Sequence, residues 1–181
     1  MLSYPRDKIH SLICHECKPL HAKIIEQFYK LLEDPATHKS HFFNGRYENI
    51  YISKSLLPEI EPILNTIFEE SAKLLRCDKS ELKIGFWFNL MQKDEVTLAH
   101  NHDDDDEIIS GTYYLQAPEQ AGVLSIKLAD QIISTIEPKD AGLSFFHPAL
   151  EHEVSRHGSP VPRISIGFNI GPETDRHAIS D

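Results

Sequence analysis

The stretch PRISIGFNI, residues 162–170, alternates without a break. In an extended chain successive side chains point to opposite faces. Ile164, Ile166, Phe168 and Ile170 therefore share one face, and Arg163, Ser165, Gly167 and Asn169 share the other. The apolar face asks for a helix or a second sheet to cover it. The polar face lies in the middle of a strand that otherwise reads as core, so it lines a pocket. GFWFNL, residues 85–90, repeats the pattern, with Gly85, Trp87 and Asn89 on one side.

Upstream of that strand, short segments follow one another at 83–92, 96–101, 109–116, 122–129, 131–136, 142–147 and 151–156, most separated by Gly, Pro, Asp or Asn. With 162–170 they make about eight short strands, the signature of an antiparallel sandwich or jelly roll. Before residue 82 the period is different. Leu20, Ile24, Ile25, Phe28, Leu31 and Leu32 recur at helical spacing over 19–34. Leu57, Ile60, Ile63, Leu64, Ile67, Leu74 and Leu75 do the same over 55–76. Residues 8–14 read as a short strand, 44–53 as a turn and a strand, and 78–82 as a turn. The fold expected is α+β: a double-stranded β-helix, cupin-like, with N-terminal helices outside it. Its 181 residues form one domain, with a helical lead-in over 1–82, the β-helix over 83–171 and a tail over 172–181.

Composition narrows the function. Hydrophobic residues make up 40% of the chain and charged residues 25%, the balance of a globular domain with a real core. The net charge of −10 argues against nucleic acid or an anionic membrane surface as partner. No apolar run reaches the roughly 18 residues of a membrane span, and the N-terminus has no signal-peptide core. A cytoplasmic protein is expected. Cys14, Cys17 and Cys77 are too few, and odd in number, for a disulfide framework. Cys14 and Cys17 form a C-x-x-C, but a structural zinc needs four ligands and no second pair exists.

The chemistry concentrates in LAHNHDDDDEIISGTYYL, residues 98–115. Mononuclear non-haem iron is commonly held by two histidines and a carboxylate, leaving positions open for other ligands. An H-x-D pair on a strand suits this, because residues two apart point the same way. His102 and Asp104 form such a pair, and His152, in LEHEV, is the candidate distal ligand. Arg163 follows 11 residues after His152, with Ser165 beyond it. A guanidinium pairs with a carboxylate through two parallel hydrogen bonds, so Arg163 suits a dicarboxylate cosubstrate. Such a set of residues is far more specific than H-x-D alone.

With FWFNL, HNHDDDDEIISGTYYL, GLSFFHPALEHEV and PRISIGFNI in place, residues 84–171 resemble the 2-oxoglutarate/Fe(II)-dependent dioxygenases. The likeness is to a small bacterial and phage group with an H-x-H-P-x(4)-S-G-x-Y-Y core. It covers about half of the chain, and the first 80 residues match only loosely. The resemblance implies a double-stranded β-helix, Fe(II), 2-oxoglutarate and O2, with ascorbate helpful in vitro. It implies decarboxylation of 2-oxoglutarate to succinate coupled to hydroxylation or a related C–H oxidation. It also gives Tyr114 and Ser165 a role beside Arg163 at the far carboxylate. His147 reads as a neighbour of the site or a surface residue. In this group five residues separate the metal pair from the Ser-Gly. That spacing fits His102 and Asp104, whereas His100 and His102 leave seven. Strand parity does not choose, because 100, 102 and 104 all face one way. The rest of the Asp103–Asp106 run reads as solvated loop charge.

Two other readings stand beside this one. One is a cupin-like metal-binding sensor without turnover. The other is a three-histidine dioxygenase that does not use 2-oxoglutarate, for which Arg163 has no obvious use. The substrate, a small molecule or a peptide, and the oligomeric state are not legible.

Overall fold

The computed structural model describes residues 2–102 and 106–173. Strand β11 (Arg163–Pro172) is the centre of the architecture. It pairs antiparallel with β4 (Leu82–Met91) on one side and β6 (Ile109–Gln116) on the other. Four of the remaining strands extend this sheet: β1 (His10–Ile13), β9 (Gly142–Phe146), β3 (Arg46–Tyr51) and β2 (His38–Phe43) complete the order β1-β9-β6-β11-β4-β3-β2 once β4, β6 and β11 are counted in. A second sheet holds four strands in the order β5-β10-β7-β8, namely β5 (Thr97–His100), β10 (Glu151–Val154), β7 (Leu124–Leu128) and β8 (Gln131–Ile136). Every pairing is antiparallel.

The two faces of β11 have the fates their residue types dictate. Ile164, Ile166, Phe168 and Ile170 are fully buried in the main core, with Ile24 and Phe28 of α1 (His21–Leu31) and Ile63, Leu64 and Ile67 of α2 (Glu61–Leu75). Each such side chain contributes roughly 1.5–3 kcal/mol on burial. Phe28 stacks on Phe88 of β4 at 4.9 Å between ring centroids. At the start of α1 a ring nitrogen of His21 lies 2.7 Å from the Tyr113 hydroxyl, a buried hydrogen bond from helix to sheet. A smaller core of Met91, Leu124, Ile126, Phe146, Leu150 and Val154 joins the inner faces of the two sheets. The molecule thus has three layers: helices, large sheet, small sheet.

Most elements lie where the sequence places them, and 109–116 coincides with β6 to the residue. The helices are shorter than their apolar stripes. Residues 15–20 form a 3-10 turn before α1, and Pro58 and Pro62 hold the second helix back until Glu61. The turn and strand expected over 44–53 are half of a hairpin. Its other strand, β2, carries HKSHFF, which shows no clean alternation and gives no strand signal. Asn44 and Gly45 make the turn with φ of 49° and 89°, the left-handed pair that a two-residue hairpin needs. Among the described residues, no helix is long and apolar enough to cross a membrane.

Candidate functional site

Strands β5 and β10 bring the histidines together. His100 lies directly opposite His152 in their antiparallel register. His102 follows two residues later, its backbone N–H donating to the Pro148 carbonyl at 2.9 Å. The result is a cluster of His100, His102 and His152 whose ligand atoms all lie within 4.8 Å of one another. Ring centroids are 4.3 Å apart for His100 and His152 and 5.1 Å for each of the other two pairs.

The electrostatics prepare these rings for a metal. The Nδ1 of His152 lies 3.1 Å from the Leu150 carbonyl, and that of His100 lies 2.9 Å from the Leu98 carbonyl. A carbonyl only accepts, so Nδ1 carries the proton in each, and Nε2 keeps a lone pair. Burial, reinforced by the neighbouring imidazoles, lowers the pKa of His102 to about 4 and that of His152 to about 3. Both are therefore neutral, hence competent as ligands, at physiological pH. Nitrogen donors of this kind fit iron among the transition metals. Asp104, the carboxylate expected as a ligand, lies outside the described residues, as does Asp103. Asp106, at the end of the run, pairs with Lys83 at 2.9 Å.

The polar face of β11 does line a cavity. A space of about 70 Å3 between the sheets reaches from His102 and His152 to Arg163 and Ser165, floored by Gly167. Gly167 is required there: a Cβ would come within 2.5 Å of the Trp87 indole, which lies across it. Arg163 is only 3% exposed. Its Nη1 donates to the Ala121 carbonyl at 3.4 Å and to Met91 Sδ at 3.6 Å, while Nε is buried without a partner among the described residues. Its Cζ sits 5.0 Å from the centre of the Tyr114 ring, and the Tyr114 hydroxyl is buried, with Thr112 as a polar neighbour. Among the described residues no carboxylate pairs with Arg163. Burial lowers its pKa and raises that of Tyr114, and the positive charge of Arg46 adds to the strain on Arg163. An unpaired buried guanidinium is costly, and a carboxylate is what would relieve it. Ser165 lies beside Tyr114 in the register. The structure thus gathers Arg163, Tyr114 and Ser165, the three residues singled out in the sequence, at one place.

A larger cavity, about 480 Å3, opens on the other side of the histidines. His100, His102 and Trp87 form its inner end, and Glu107 and Asn169 stand at one side. The β2–β3 hairpin supplies the outer wall through Phe42, Phe43, Asn49 and Tyr51. Sequence reading missed these hairpin residues and Glu107. The Asn44-Gly45 turn between aromatic-rich runs was the available signal. His147 accepts a hydrogen bond from the Ala149 N–H at 3.1 Å, bracing the turn before His152.

The sequence matches no protein-family model and no curated protein. Solved structures do share the fold. An oxidoreductase of the 2OG-Fe(II) oxygenase family from Burkholderia pseudomallei is 15% identical with a TM-score of 0.64, over 90% of this chain and 85% of that one. A prolyl-4-hydroxylase from Pseudomonas putida is 16% identical with a TM-score of 0.63, over 92% of this chain and 88% of that one. EvdO2 from Micromonospora carbonacea var. aurantiaca, crystallised with 2-oxoglutarate, is 11% identical with a TM-score of 0.66, over 96% of this chain and 89% of that one. Many of the similar structures are 2-oxoglutarate-dependent Fe(II) oxygenases, and they share the fold of this chain.

Proposed function

We propose that this chain is an Fe(II)- and 2-oxoglutarate-dependent oxygenase built on a double-stranded β-helix. The observation that carries the reading is Arg163, a buried guanidinium with no anionic partner among the described residues, in the same cavity as two neutral metal-competent imidazoles. His102 and His152 hold the metal, and His100, facing His152 across the strand pair, completes the set. Asp104 is the competing third ligand. Arg163 takes the far carboxylate of 2-oxoglutarate, with the Tyr114 and Ser165 hydroxyls as its hydrogen-bonding neighbours. The bound metal, with 2-oxoglutarate and O2, would supply oxidising power for hydroxylation or a related C–H oxidation. The protein's share is placement and an apolar setting: Leu124, Phe146 and Val154 give the inter-sheet cavity apolar walls. Three free cysteines fit work in the cytoplasm.

The three-histidine cluster also supports a second reading, a dioxygenase that does without 2-oxoglutarate. Arg163 decides between them. The test is anaerobic titration of the Fe(II)-loaded protein with 2-oxoglutarate, followed by the weak visible charge-transfer band of the chelate. Succinate release in air, with ascorbate, is then measured. A band and slow succinate release support the proposal. Metal uptake with neither one would sink it in favour of the second reading or of a binding module.

A further inference from the structure

Glu107 is a carboxylate that no cation among the described residues neutralises. The Ser110 hydroxyl donates to Asn169 Oδ1 at 2.7 Å, which fixes the carboxamide. Its Nδ2 then donates to Glu107 Oε1 at 3.5 Å. The other oxygen, Oε2, is buried and has no partner among the described residues. A buried carboxylate oxygen left unpaired is expensive, and no cation among the described residues pairs with it. Glu107 lines the large cavity that opens on His100 and His102. The second carboxylate there, Glu48, already pairs with Arg46 at 2.8 Å. The other walls carry the aromatic rings of Trp87, Tyr51, Phe42 and Phe43 beside Asn49, Asn101, Leu98 and Ala99. Aromatic faces attract cations, and a fixed carboxylate gives a cation direction.

We infer that the primary substrate carries a cationic nitrogen, an ammonium or amidinium group, which docks on the Glu107 carboxylate in the cavity that Trp87 and Tyr51 also line. The inference rests on the oxygenase reading, because it takes this cavity as the substrate's approach to the metal. It assigns a specificity-determining residue and excludes anionic substrates from this end of the cavity.

Trp87 is the protein's single tryptophan and lines both this cavity and the inter-sheet one, so its fluorescence reports binding at either, and the Glu107 variants assign the signal to this cavity. The probes are 2-phenylethylamine, 2-phenylethanol and 3-phenylpropionate, three compounds of similar shape and different charge. The amine should bind wild-type protein at least about tenfold tighter than the alcohol, the scale of a hydrogen bond to a charged group. The carboxylate should bind most weakly. Glu107→Gln, which keeps the shape and removes the charge, should bring the amine down to the level of the alcohol. Glu107→Asp keeps the charge and should retain part of the preference; it carries the test if Glu107→Gln no longer melts cooperatively. Equal binding of the three probes, no binding of the amine, or an amine preference that survives in Glu107→Gln overturns the inference. Titration of the wild-type protein with Co(II) alone is run in parallel. Its failure would count against the metal site, while the charge preference of the cavity is read independently.

Discussion

Arg163 is a charge taken out of water and given, among the described residues, a carbonyl, a thioether and an aromatic face in return. Loss of a buried, hydrogen-bonded charge partner typically costs about 2–5 kcal/mol, or roughly 30- to several-thousand-fold in affinity. Arg163→Ala should weaken 2-oxoglutarate binding by that much and leave metal affinity nearly unchanged. Arg163→Lys should fall between, since lysine restores the charge without the two-pronged geometry. Calorimetric titration into metal-loaded, oxygen-free protein measures it, and wild-type affinity in the alanine variant would remove Arg163 from the site. The third metal ligand is settled by a second pair of variants. His100→Ala should cost about a hundredfold or more in metal affinity, or ~3 kcal/mol, whereas Asp104→Ala should cost much less. The reverse ranking would restore the H-x-D pair. That uncertainty has a physical source: residues 100, 102 and 104 share one parity, so period 2 cannot separate them.

At the scale of elements, what the sequence shows depends on whether an element's partner is itself. The face of β11 is legible because alternation is local, and Arg163, Ser165 and Gly167 all reach the cavity. His152 is legible because it belongs to a constellation whose members flank recognisable strands. Strand β2 is not, since it exists only by pairing with β3 through six-residue segments that carry no alternating pattern. Glu107 is likewise invisible: its role depends on Asn169, 62 residues away. The join between α1 and β6 gives an element-scale prediction. Burial lowers the pKa of His21, which bonds Tyr113. The folded protein holds this ring neutral to lower pH than the unfolded chain, which protonates it near pH 6.5. The stability tied to the neutral ring is present above about pH 6.5 and is lost as pH falls below it. In denaturant unfolding, His21→Gln should therefore lose less stability than wild type between pH 6.5 and pH 5. Parallel profiles would show that His21 plays no part in acid sensitivity.

For the whole molecule, the three layers make the helical lead-in indispensable. The apolar side of the central strand has Ile24, Phe28, Ile63 and Ile67 against it, all from residues before 82. A chain beginning at residue 83 would expose Ile164, Ile166, Phe168 and Ile170 together, a patch of the kind that drives association. Such a chain should be recovered aggregated, or without a cooperative thermal transition, by calorimetry. A soluble, cooperatively melting product would show that the sandwich stands without its helices.

The pairing of His100 with His152 has a consequence for motion. Strand β5 is four residues long, lies at the edge of its sheet, and meets β10 at only two register positions separated by an irregularity. Short edge segments open locally well before the molecule unfolds. An ion shared by two facing side chains would act as a rivet on that edge. Backbone amides of Thr97–His100 should exchange with deuterium quickly in metal-free protein and markedly more slowly once Co(II) is added, while those of β6 stay protected in both. Unchanged exchange at β5 would mean that His100 does not share the ion.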